Sequence, residues 1–90
     1  MPKTIWKFPL SFAAATELPP GAEPISVQMQ GGNPMLWALV EPEIARQSFG
    51  EAKRIHVAGT GHDLPDNIGR FIDTFQMEGG SLVFHVFELS

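Results

Sequence analysis

Two glycine pairs, Gly31-Gly32 and Gly79-Gly80, each stand between stretches in which apolar and polar residues alternate. Glycine enters positive-φ conformations without steric cost, and a tight reversal between twisted antiparallel strands demands such conformations. The first pair separates Ile25-Ser26-Val27-Gln28-Met29 from Met35-Leu36-Trp37-Ala38-Leu39-Val40. The second, preceded by Glu78, separates Phe71–Met77 from Leu82–Leu89. Both read as β-hairpins. Lys3–Phe8 reads as a further strand with Ile5 and Lys7 on one side and Thr4, Trp6 and Phe8 on the other, ended by Pro9, which cannot donate to a ladder. Arg54-Ile55-His56-Val57 alternates as well, sending Ile55 and Val57 inward and Arg54 and His56 outward.

The segments between are short and punctuated. Ala13–Leu18 has room for one helical turn before Pro19-Pro20-Gly21 stops it. Glu41–Ala52, with Pro42, Gly50 and mixed charge, reads as a linker whose Glu43–Gln47 stretch makes a short helical turn over the sheet. Asp63–Ile68, with Pro65 and Asn67, reads as loop. The expectation is one mostly β domain over residues 1–90. It is a small antiparallel sheet, barrel or sandwich of five to six strands, with two Gly-Gly hairpins and at most one short helix.

Composition narrows the chemistry. Six Lys and Arg against ten Asp and Glu give a formal charge of −4, which argues against binding long nucleic acid or an anionic membrane surface. No cysteine is present, so disulfides and thiolate chemistry are excluded, and a cytoplasmic location is expected. No apolar run approaches the roughly 20 residues of a membrane span. Apolar residues on both faces of Leu36–Val40 and Leu82–Phe87, with no long helix to cover a second face, imply burial against further copies of the chain, a homo-oligomer. The plainer alternative puts Trp37 and Phe87 under loops.

Three features bear on function. Gly59-Thr60-Gly61-His62-Asp63 combines backbone donors freed by glycine, a hydroxyl and an imidazole, as a small anion nest would; the alternative is a simple change of direction. His56, His62 and His85 have no metal-ligand spacing, so neither a metal nor another cofactor is expected, and no nucleophile-base pattern marks an enzyme. Lys3, Lys7, Lys53, Arg54 and Arg70, brought beside Trp6, Trp37 or Phe75, would stack a base and neutralise a phosphate; otherwise these cations are solvated strand edges.

Lys3-Thr4-Ile5-Trp6-Lys7-Phe8, Leu36-Trp37-Ala38-Leu39-Val40, Gly59-Thr60-Gly61-His62 followed by Pro65, Thr74-Phe75-Gln76 and Leu82–Glu88 together resemble a family of short phage and prophage proteins of unassigned function. The resemblance spans nearly the whole chain. It departs at Asp73, where glycine is expected before Thr-Phe-Gln, and with it any tight backbone approach there. A phage setting implies binding rather than metabolic catalysis. The leading expectation is an oligomeric sponge that holds a nucleotide-derived immune signal, such as a cyclic oligonucleotide or cyclic ADP-ribose isomer, without cleaving it. Its expected ligand-binding residues are Trp6, Lys7, Trp37, Arg54, His56, Gly59, Thr60, Gly61, His62, Arg70 and Phe75. The alternatives are a protein-protein interaction module acting through its apolar strands and acidic surface, and a small hydrolase.

Overall fold

The computed structural model describes residues 2–47 and 52–90. Seven strands, β1 (Thr4–Pro9), β2 (Thr16–Leu18), β3 (Glu23–Gln30), β4 (Asn33–Val40), β5 (Lys53–Gly59), β6 (Ile68–Met77) and β7 (Leu82–Leu89), are accompanied by one short helix, α1 (Pro42–Gln47). They form two open antiparallel sheets, ordered β1-β4-β3 and β2-β5-β7-β6. The mostly β architecture with two Gly-Gly hairpins is as the residue pattern requires; of the barrel and sandwich alternatives, the chain adopts a sandwich.

Both hairpins turn where the glycines stand. Gly31 and Gly32, at φ 59° and 82°, make the two-residue reversal that sets Gln30 opposite Asn33. The β6–β7 turn is longer and left-handed, with Glu78, Gly79 and Gly80 at φ 53°, 64° and 95° and the Ser81 N–H donating to the Glu78 carbonyl at 3.2 Å.

The core lies between the sheets. Leu36, Ala38 and Val40 alternate inward along β4, and Ile55 on β5, Phe75 on β6 and Val86 on β7 meet them from the opposite sheet, joined by Leu10, Leu18, Ala22 and Val27. Leu18, Leu36, Ile55 and Val86 are 0–1% exposed; full burial of such side chains contributes about 1.5–3 kcal/mol each. Trp6 and Phe8 pack on this core from β1.

The strand count and several boundaries differ from expectation. Seven strands form rather than five to six, because Thr16–Leu18 extends to pair with Ile55–Lys53 instead of coiling into a helical turn. The segment before it is tied down locally: Ser11 Oγ accepts the Ala13 and Ala14 N–H groups at 3.2 and 3.3 Å, and Thr16 Oγ1 accepts that of Ser11 at 3.0 Å. Pro9 is the last residue of β1, opposite Met35, and does not halt the strand before it. It is tolerated because β1 is an edge strand, whose outward N–H positions need no partner. Ile68 opens β6 rather than closing a loop. The helical turn of the 41–52 linker is α1, with no buried residue; Gly50 of that linker lies outside the described residues.

Candidate functional site

Arg54 and His56 are two residues apart on β5, so the period of the strand sends both side chains to one face. Beside them, the Ser11-centred turn carries Phe12, a residue 51% exposed whose ring rests on Phe84 at a centroid distance of 4.9 Å and on Phe75 at 6.1 Å. Between this turn and β5 lies an open cleft of about 310 Å³ whose lining includes Phe12, Arg54, His56, Asn67 and Leu89. That volume stands at the lower end of the roughly 300–1,000 Å³ usual for small-molecule sites. Among the described residues no Asp or Glu lines it, and Arg54 makes no ion pair. Residues bearing a guanidinium, an imidazole, a carboxamide and a phenyl ring therefore line one cleft. These groups suit an anion carrying a flat apolar ring.

The loop after β5 does not form an anion nest. A nest needs successive N–H groups free to converge. Here the Thr60 N–H donates to the Val83 carbonyl and the His62 N–H to the Gly59 carbonyl, each at 3.1 Å, and Gly61 takes φ 87° to close the turn. The His62 ring lies against Gly59, where a Cβ would stand 3.0 Å from two of its atoms. Glycine serves here to change the direction of the chain, through the positive φ of Gly61, the plainer of the two readings. Thr60 also reaches His85: its Oγ1 is 2.6 Å from His85 Nε2, while Thr74 Oγ1 is 3.0 Å from Nδ1. Gly59, Thr60 and His62 line a separate cleft of about 270 Å³ with Leu82 and Phe84.

The remaining expected site residues are dispersed. Trp6 packs on the core, and Phe75 is 4% exposed and stacked on Phe84 at 5.3 Å, which leaves it no face for a base. Trp37 and Lys7 are cross-strand partners on the outer face of the first sheet. There Lys7 Nζ donates to Gln30 Oε1 at 2.7 Å and Lys3 pairs with Glu23 at 3.6 Å. Lys7 on β1 and Lys3 just before it thus each reach a β3 side chain across the middle strand, whose Trp37 and Leu39 are turned away from the core. Long cations can cover apolar surface in this way, and this explains how that face is dressed without a helix. Arg70 lies 3.6 Å from Glu88, on the second sheet. Of the expected residues, the structure brings Arg54 and His56 together in one cleft, Gly59, Thr60 and His62 in another, and Lys7 and Trp37 on a third surface.

Ser11, Phe12 and Asn67 were not legible as cleft residues. Phe12 stands among small residues in a stretch with no period, and its role depends on β2 pairing with β5, which a three-residue strand does not announce. The described histidines and carboxylates do not gather into any group of three that would hold a metal ion. No helix among the described residues is long and apolar enough to cross a membrane.

A family model described as "Domain of unknown function (DUF7352)" matches residues 1–90, and the chain belongs to that family. No significant match was found among curated proteins or among solved structures.

Proposed function

We propose that this DUF7352 domain is a non-catalytic binding protein that sequesters a nucleotide-derived small molecule, acting as a homo-oligomer in the cytoplasm of a phage-infected cell. The observation that carries the reading is the cleft that Arg54, His56 and Asn67 line together with the exposed Phe12, with no Asp or Glu in its lining among the described residues. Phe12 stacks the base, the Arg54 fork takes phosphate oxygens in a bidentate pair, and His56 and Asn67 add donors. Nothing in this chemistry requires a bond to break. The resemblance to short phage and prophage proteins supplies the phage setting, and with it sequestration as the use of such a site.

Self-association is supported by the outer face of the second sheet, where Phe71 is 52% exposed and meets Phe87 edge-on at 5.5 Å. The same rings favour the second reading, a module that docks on another protein.

Scanning fluorimetry against a panel of linear and cyclic nucleotides tests the proposal. A ligand at 100 times its dissociation constant stabilises the fold by about 2.7 kcal/mol and raises the melting temperature accordingly. Heat-released ligand should be chemically unchanged. A flat panel would transfer the case to the docking module, and recovery of a cleaved product would replace sequestration with hydrolysis.

A further inference from the structure

We infer that the ligand is extended and carries two separate phosphates, a linked dinucleotide rather than a mononucleotide, reaching into the clefts on both sides of Arg54; this rests on the binding reading above. A second open cleft, of about 410 Å³, adjoins the first and is lined by Gly21, Ala52, Lys53, Arg54, Glu88, Leu89 and Ser90. Arg54 and Leu89 line both clefts, so the two cavities adjoin at these residues. A planar fork with five N–H donors can serve one anion on either flank.

The second cleft is prepared for an anion despite holding a carboxylate. Glu88 Oε1 lies 2.8 Å from Lys53 Nζ and its Oε2 lies 3.6 Å from Arg70 Nε, so the Glu88 carboxylate is offset by two cations. Glu17, opposite Arg54 in the β2–β5 ladder, makes no ion pair with it among the described residues. Half of the six lysines and arginines in an acidic chain, namely Lys53, Arg54 and Arg70, collect at this end of the second sheet. Gly21 and Ala52 contribute no bulk, which leaves room for a second nucleoside. A mononucleotide would occupy one flank of Arg54 and leave the other vacant.

Titration calorimetry with four probes, cyclic diadenylate, cyclic diguanylate and the two corresponding 5′-monophosphates, decides the matter. At least one linked probe should bind about tenfold or more tightly than its monophosphate, the worth of one further charge-assisted contact. Ala52→Glu, an exposed position that adds a carboxylate to the second cleft alone, should weaken the linked probe by a similar factor and leave the monophosphate unchanged. Equal affinities for linked and single nucleotides, or equal losses in Ala52→Glu, would overturn the extended ligand while the Phe12–Arg54 cleft stands. Binding by none of the four would overturn this inference, and a flat response across the wider nucleotide panel would remove the nucleotide reading itself.

Discussion

The Asp73 carboxylate on β6 accepts the backbone N–H of Val27 on β3 through Oδ2 at 2.8 Å, joining the two sheets across their adjacent edges. Val27 stands opposite Leu36 on β4, and its N–H, turned away from that partner, is one that an edge strand would otherwise leave bare. The second oxygen, Oδ1, accepts the Thr74 N–H at 2.9 Å. Where the family resemblance implied a glycine, the carboxylate works as a strut. Asp73→Ala orphans a part-buried donor and should cost about 1–3 kcal/mol. Asp73→Asn, which keeps an acceptor, should cost less. Urea titration ranks the two, and equal losses would remove the bond as the cause.

Two glycines of unequal necessity give the second prediction. A Cβ at Gly69 would stand 2.7 Å from the Glu88 carbonyl, which is backbone in the neighbouring strand, whereas one at Gly59 would meet the side chain of His62 at 3.0 Å. Backbone cannot move aside without breaking the ladder, but an exposed ring can rotate. Gly69→Ala should therefore lower the melting temperature more than Gly59→Ala. At the 4–8 °C per kcal/mol of a domain this size, a gap of about 1 kcal/mol is readily measured.

Glu78 is the only non-glycine residue at positive φ among those described, at 53°. The left-handed region costs an L-residue roughly 1–2 kcal/mol, of which a glycine's greater unfolded-state entropy returns part. Glu78→Gly should raise stability by up to about 1 kcal/mol in chemical denaturation. A loss would show that the Glu78 side chain contributes more than its backbone costs.

The clamp on His85 makes a prediction about a proton. Thr60 Oγ1 lies 3.3 Å from the Val83 carbonyl, to which it can only donate, so it accepts from His85 Nε2 at 2.6 Å. Nδ1 then accepts from the Thr74 hydroxyl at 3.0 Å. The neutral ring should be the Nε2–H tautomer, visible in its nitrogen chemical shifts. Thr74→Val should loosen that preference, and finding the Nδ1–H form in the parent protein would reverse the donor and acceptor in both hydrogen bonds to the ring.

Arg54 is exposed and makes no ion pair among the described residues, so its removal should change stability by no more than about 0.5 kcal/mol. Phe12→Ala gives up the contact with Phe84 and should cost about 1 kcal/mol while leaving the domain folded. Arg54→Ala should nonetheless weaken nucleotide binding about tenfold or more, through loss of a charge-assisted pair. Phe12→Ala should cost about 1–3 kcal/mol of stacking. Calorimetry on folded variants reads both, and an unchanged affinity in either would displace that residue from the cleft.

Local pattern alone determined the strand-rich class, both hairpins and the inward row of Leu36, Ala38 and Val40, because a period of two and a glycine pair act within a few residues of each other. The inward sense of Ile55 and Val57, with Arg54 and His56 turned outward, was legible for the same reason. Tertiary structure decided what no neighbouring residues could express. It recruited Thr16–Leu18 as a strand, spent the donors of the Gly59–His62 loop on turn and ladder, buried Phe75 against Phe84 and left Phe12 in the open beside Arg54. The β2–β5 pairing, the Thr60–Val83 bond and the seat of Phe12 on Phe75 and Phe84 join segments some 20 to 70 residues apart, where free energy is gained only once the loop between them has closed.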